Sequence, residues 1–187
     1  DGYSRELFPN AKIDAYQSFP DLFQCLKQGK VDGFLLDMPN LNAAKRTDKS
    51  LTHISIPDYS VEIGYAFGKD ANGDNLKAQM DPYLDKLRAD GTLDKIWDKW
   101  CGEVEPTENI KVPDFSGNTK ELKIAFDSSR KPFVYKLNNE YAGFEVEILY
   151  MFCKEYGYKP VLEDAQWTAG VAGLKEGKYD VVSCGIY

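Results

Sequence analysis

A seven-residue run near the start of the chain returns near its end. Leu26-Lys27-Gln28-Gly29-Lys30-Val31-Asp32 is echoed 148 positions later by Leu174-Lys175-Glu176-Gly177-Lys178-Tyr179-Asp180. Each copy follows an amphipathic stretch and enters an apolar one, so the repeated unit reads as helix, glycine cap, tight turn and buried parallel strand. The simpler account is that any single helix-to-strand turn favours Lys-x-Gly. The sharper one is a chain with two α/β lobes of like construction, one toward each end.

The rest of the pattern keeps this rhythm. Residues 11–16 and 31–36 read as strands around a helix over 19–27, with Ser18 as its N-cap, Pro20 in its first turn and Phe19, Leu22, Phe23 and Leu26 turned inward. The 31–36 run is nearly all apolar after its first residues, which predicts a central parallel strand covered on both faces. A helix follows Pro39 through 42–46, and 54–56 and 62–67 are strand-like. Residues 68–74 break the pattern before a long helix from about Asn75, whose Leu76, Met80, Tyr83, Leu84 and Leu87 form one stripe. Asp90-Gly91 closes that helix, and a short one over 93–100 carries Leu93, Ile96, Trp97 and Trp100 on one face. From 102 to 120 the composition turns to Glu, Pro, Asn, Asp, Gly and Thr, the signature of a linker. Strand and helix then alternate again: strand 122–126, helix 144–156 ended by Gly157, strand 159–162, helix 169–175, strand 179–185.

Charge and cysteine usage remove several function classes. The 187 residues carry 23 Lys and Arg against 30 Asp and Glu, a formal net charge of -7, which disfavours nucleic acid and anionic membrane as partners. No apolar run reaches the roughly 18–20 residues that span a bilayer. The opening Asp1-Gly2-Tyr3 has neither a signal segment nor an initiating Met, so the chain is expected to be processed or excised from something longer. Cys25, Cys101, Cys153 and Cys184 form no C-x-x-C pair; Cys25 and Cys153 sit in apolar stripes and read as small buried hydrophobes. His53 stands alone, without a partner at ligand spacing. No metal, cofactor or histidine-based triad is expected.

Four stretches carry a resemblance. Residues 122–133 are similar to the opening strand and ligand-contacting loop of bacterial extracellular solute-binding proteins, family 3, which capture polar amino acids for ABC importers. Gly143-Phe144-Glu145-Val146-Glu147-Ile148 resembles that family's first-helix signature, and Gly177-Lys178-Tyr179-Asp180-Val181-Val182 its next landmark in lobe one. Residues from Phe8-Pro9-Asn10-Ala11 onward resemble lobe two, and 88–100 the family's C-terminal end. The resemblance implies an α/β fold of two Rossmann-like lobes, the type 2 periplasmic binding protein or Venus-flytrap fold. Its parts would be an incomplete lobe two with a crossing strand over 1–68, C-terminal helices packing on lobe one over 69–101, a linker over 102–120 and an incomplete lobe one over 121–187. Lobe two precedes lobe one, as in a segment of a tandem array or, alternatively, a circular permutant. The family's carboxylate-binding arginine and second crossing strand follow the equivalent of Tyr187, and a Gly-Thr-Thr-like turn precedes that of Tyr3; neither is in these residues.

A cleft for a free amino acid needs donors for the carboxylate and an anion for the ammonium. Asp37, at the carboxyl end of a predicted strand, matches the family's ammonium-binding aspartate; an N-cap for the next helix is the competing use. Asp127, Ser128 and Arg130 lie in the loop after a strand, Trp167 opens a helix, and Cys184, Gly185 and Tyr187 end a strand. The resemblance implies that Trp167 stacks on the ligand and that backbone donors around 185–187 face its carboxylate, while burial in the core is the plain reading of an indole. Arg130 stands where many relatives carry an aromatic residue, which fits either an acidic ligand side chain or a solvated arginine. Trp97, Trp100 and Phe144 are assigned to packing.

The function implied is non-enzymatic capture by lobe closure, with an ABC transporter permease as partner, an extracellular, cell-surface or periplasmic location, and homo-oligomerisation through the incomplete lobes as a further expectation. The alternatives are a sensory clamshell of a membrane receptor, an enzyme acting on prephenate-like acids through Glu145, and a scaffold that binds nothing.

Overall fold

The computed structural model describes residues 2–16, 19–56 and 62–186. The chain divides into two compact units, Asp1–Asp37 and Met38–Tyr187. The first unit contains α1 (Gly2–Leu7), which the sequence pattern does not announce, and α2 (Phe19–Lys27), which it does. The expected cap at Ser18 lies outside the described residues. Phe23 and Phe34 meet edge to face at 5.1 Å.

The two echoed turns share their backbone geometry. After α2, Gly29 takes φ 65°, its amide donates to Leu26 O at 3.0 Å, and the Lys30 amide donates to Cys25 O at 2.9 Å. In the second unit Gly177 takes φ 71°, its amide donates to Leu174 O at 3.2 Å and the Lys178 amide to Gly173 O at 2.8 Å. Both are Schellman caps, in which a left-handed residue lets two amides turn back onto the last carbonyls of the helix.

Beyond the caps the two copies diverge. The strands expected over 11–16, 31–36 and 54–56 form no ladder among the described residues. A parallel strand exists only through neighbours that supply its hydrogen bonds and cover its faces. Residues 31–36 have the apolar content but not the partners, and Leu35 is 41% exposed.

The second unit begins with α3 (Met38–Thr47), followed by β1 (Gly64–Phe67), α4 (Ala71–Ala89) and α5 (Thr92–Cys101). Helix α4 starts four residues before the expected position because Asp70 caps it, its side chain accepting from the Gly73 amide at 2.8 Å. Then come β2 (Lys120–Phe126), the hairpin of β3 (Tyr135–Leu137) and β4 (Glu140–Ala142), α6 (Phe144–Tyr156), β5 (Tyr158–Asp164), α7 (Trp167–Lys175) and β6 (Val181–Ile186). The sheet order is β1-β6-β2-β5, with β5, β2 and β6 parallel and β1 antiparallel to β6.

Alternation along β2 divides the core between two faces. Leu122, Ile124 and Phe126 join the larger cluster with Val146, Leu149 and Phe152 of α6, Leu76, Met80, Tyr83 and Leu87 of α4, and Ile96 and Trp100 of α5. Ala125, on the other face, packs with Leu174 of α7, Tyr179 and Val182. The helices α4 and α5 therefore cover the β2–β6 sheet of their own chain, and Trp97 reaches Phe144 edge to face at 5.2 Å.

Helix α3 is fastened to the end of α5. Asn42 Nδ2 donates to Cys101 O at 2.9 Å, and Arg46 Nη2 donates to Trp100 O at 2.8 Å and Gly102 O at 2.6 Å. A cation at a helix C-terminus satisfies orphan carbonyls and complements the dipole. Arg46 also meets Glu105 at 3.3 Å, and Glu105 meets Lys131 at 2.6 Å. The stretch 102–119 has no regular structure, yet Ile110 is buried and Asn118 Nδ2 donates to Tyr158 O at 2.7 Å, so it runs packed against the sheet unit. Cys101 and Cys153 are buried, and burial pushes the Cys153 pKa up to about 12. Among the described residues no helix is long and apolar enough to cross a membrane.

Candidate functional site

Parallel strands of an open α/β sheet end on a common edge, where loops and helix starts converge. In the second unit that edge is formed by the ends of β2, β5 and β6, and it carries most of the residues expected to bind. Asp127 and Ser128 follow β2 directly, Trp167 opens α7 just beyond β5, and residues 184–186 end β6. Strands β2 and β5 run in register to their last pair, Phe126 with Asp164.

The loop after β2 is a tight turn. The Arg130 amide donates to Asp127 O at 3.2 Å, and Arg130 O accepts from the Phe133 amide at 2.8 Å and the Val134 amide at 3.0 Å. Asp127 is 8% exposed; its Oδ1 accepts from the Ser129 amide at 3.1 Å and hydroxyl at 2.5 Å, and Oδ2 lies 3.8 Å from Arg130 Nε. Ser128 turns to β5, its amide donating to Asp164 Oδ1 at 3.2 Å and its hydroxyl to Asp164 Oδ2 at 2.6 Å. Lys136, on the β3–β4 hairpin, adds an ion pair to Asp164 at 3.6 Å. Partial burial disfavours the Asp164 carboxylate, but the Ser128 hydroxyl and amide and the Lys136 charge outweigh it and hold the group below its ordinary value. Trp167 is half-buried against the smaller core cluster.

Asp127, Ser128, Arg130 and Trp167 thus share one edge of one sheet. Cys184 and Gly185 belong to β6, with their backbone alone described, and Tyr187 lies outside the described residues. Asp37 is partly buried, the last residue of the first unit and next to the first residue of α3. Asp164 and Lys136 are the additions that the sequence does not single out. Asp164 escapes a reading by pattern because the strand is expected to stop at 162. The Asn138-Asn139 pair, with φ 51° and 67°, is the available signal for the hairpin that carries Lys136.

Glu145 belongs elsewhere. It is 1% exposed, its carboxylate accepts from the Ser183 hydroxyl, and its amide donates to Phe133 O at 3.1 Å. The neighbouring Tyr65 hydroxyl is buried, and that burial, with the Glu145 charge, raises it well above its ordinary value. Two surface depressions, of about 300 and 310 Å³, are lined by Lys123, Val161, Glu163 and Tyr179 in one case and by Asp98, Val104 and Pro106 in the other. Neither is lined by a residue of the carboxyl edge.

An antiparallel strand edges this sheet, and polar loops gather where its parallel strands end, the place where open α/β sheets take ligands. Residues 122–187 match the bacterial extracellular solute-binding proteins, family 3, whose members are solute-binding proteins. Among curated proteins, the chain is 30% identical over 104 residues to the ABC transporter arginine-binding protein 1 of Escherichia coli K12, covering 52% of this chain and 42% of that protein. It is 30% identical over 98 residues to the probable amino-acid-binding protein YxeM of Bacillus subtilis, covering 51% and 37%. It is also 30% identical over 99 residues to the L-cystine-binding protein TcyJ of Escherichia coli K12, covering 52% and 36%. The chain spans less than half the length of these relatives. No solved structure matches it.

Proposed function

We propose that the chain is part of an extracellular solute-binding protein that captures an amino acid or related small polar solute for ABC-type import. The observation that carries this reading is the convergence of Asp127, Ser128, Arg130 and Trp167 on the carboxyl edge of a sheet whose sequence matches the solute-binding family. The relatives' names, which specify arginine, cystine or an unspecified amino acid, support the ligand class. In this reading lobe one comprises 121–187, lobe two with its crossing strand 1–68, the covering helices 69–101 and the linker 102–120. The order reflects a segment of a tandem array.

Asp37 takes the ligand ammonium, Trp167 lies over its body, the backbone at 185–187 meets its carboxylate, and Asp127, Ser128 and Arg130 line the side-chain end. Closure of the lobes is driven by contacts made only in the closed state, and needs no covalent step. The loaded form is presented to an ABC permease outside the cytoplasmic membrane, and copies of the chain associate through their incomplete lobes.

A thermal-shift screen of the twenty amino acids and common polyamines tests this. A ligand at one hundred times its Kd stabilises the folded state by about 2.7 kcal/mol, so a binder at micromolar affinity gives a clear rise in Tm. Absence of any shift at millimolar concentrations contradicts the proposal.

A further inference from the structure

The loop after β2 has its carboxylate engaged from within and its open donors on the Arg130 guanidinium. Asp127 Oδ1 is occupied by the Ser129 amide and hydroxyl, and Oδ2 faces Arg130 Nε at 3.8 Å. Asp164 is occupied in the same way, one oxygen taken by the Ser128 amide, the other by the Ser128 hydroxyl with Lys136 at 3.6 Å. Asp164 is therefore engaged on both oxygens and Asp127 on Oδ1, with Oδ2 in ion-pair range of Arg130, so a cationic ligand group would compete with a partner already in place.

Arg130 is in the opposite condition. Its backbone is locked by three turn hydrogen bonds and an isolated bridge to Val134, so its Cα is fixed at the edge. Its side chain is 40% exposed, Nε is the atom turned to Asp127, and Nη1 and Nη2 have no hydrogen-bond partner among the described residues. A guanidinium in ion-pair range of a carboxylate through one nitrogen, with its outer pair of donors open, can take a second carboxylate bidentately.

We propose that the ligand is an amino acid with a carboxylate side chain, gripped by the two Nη groups of Arg130. The inference rests on amino-acid capture and adds the class of side chain. Asp127, at the same end of the site, then also orients the guanidinium through its 3.8 Å contact with Nε.

The test is isothermal titration of the 187-residue chain with L-glutamate, L-aspartate, L-glutamine, L-asparagine and L-arginine, alongside Arg130→Met and Arg130→Lys. The expected result is binding of an acid at least about tenfold tighter than its amide, a ratio within reach of one charge-assisted pair. Arg130→Met brings the acid down to the level of the amide, and an unliganded Tm within a few degrees of the parent chain certifies the fold of the variant. Arg130→Lys, which keeps the charge and loses the fork, falls between. Equal affinity for acid and amide, tighter binding of L-arginine, or a preference that survives Arg130→Met overturns the inference and leaves amino-acid capture standing. Failure of every amino acid to bind overturns capture itself and the inference with it.

Discussion

Trp100 concentrates the packing of the second unit in one side chain. It is 0% exposed, its indole N–H donates to the Glu147 carboxylate, Tyr135 meets its ring at 6.1 Å, and Lys99 lies 4.6 Å over its face. Removing it opens a cavity and orphans a hydrogen bond, so Trp100→Ala is expected to cost about 3–5 kcal/mol in urea denaturation. A cost under about 1 kcal/mol would mean that α5 is not seated on α6. At the proposed site, Asp37→Ala is expected to abolish the ligand-induced rise in Tm while leaving the unliganded Tm within a few degrees; an unchanged ligand response removes the ammonium role. The loop carrying Asp127, Ser128 and Arg130 is legible because a turn after an apolar strand can be placed from pattern, and the family resemblance is what marks it as a candidate site. Asp164 and Lys136 are not, because their contribution depends on how far β5 extends and on a hairpin that brings residue 136 back to residue 164.

At the scale of elements, glycines sort into two kinds of constraint. Gly177 has φ 71° with open space where a Cβ would stand, so Gly177→Ala is strained by backbone conformation alone, about 1–2 kcal/mol. Gly143, before α6, has φ 123° and a Cβ there would lie 2.3 Å from Phe133 O, which is backbone and has little room to yield. Gly143→Ala is expected to destabilise more than Gly177→Ala in the same denaturation assay, and the reverse order would contradict the packing of the β2 loop against α6. Helices are the well-read elements. The amphipathic stripes of α4 and α5 and the bounds of α6 follow from local periodicity and capping. The runs at 31–36 and 181–186 look alike in sequence, but among the described residues only the second has a neighbour, β2, to complete its ladder. Apolar runs state a capacity for pairing, and pairing itself is non-local.

For the whole molecule, ionisation brackets the range of stability. Asp90, held by the Thr92 hydroxyl and amide, Asp114, held by the Ser116 amide and hydroxyl, Glu163, held by Lys178 and Tyr179, and Asp164 are all depressed below their ordinary values. Such groups stabilise the fold above their unfolded values, near 4, and lose that contribution as pH falls further. Tyr83, Tyr135 and Cys153 are raised, each chiefly by burial, with Tyr135 and Cys153 at about 12. Their contribution is complete below the unfolded values of 9.0 for the thiol and 10.0 for the phenols, and declines as pH rises through that range. The Tm is therefore expected to be flat from about pH 5 to 8 and to fall on both sides. A steady slope across that interval would contradict this assignment.

The claim on which the account depends is that the carboxyl edge of the β2, β5 and β6 strands receives an amino acid. Backbone amide NMR during titration with the amino acid that most stabilises the chain tests it directly. The expected result is saturable shifts concentrated at residues 127–130, 164–167 and 184–186, with Asp37 responding alongside them. Saturable shifts confined to other surfaces, or none from any of the twenty amino acids, would contradict it.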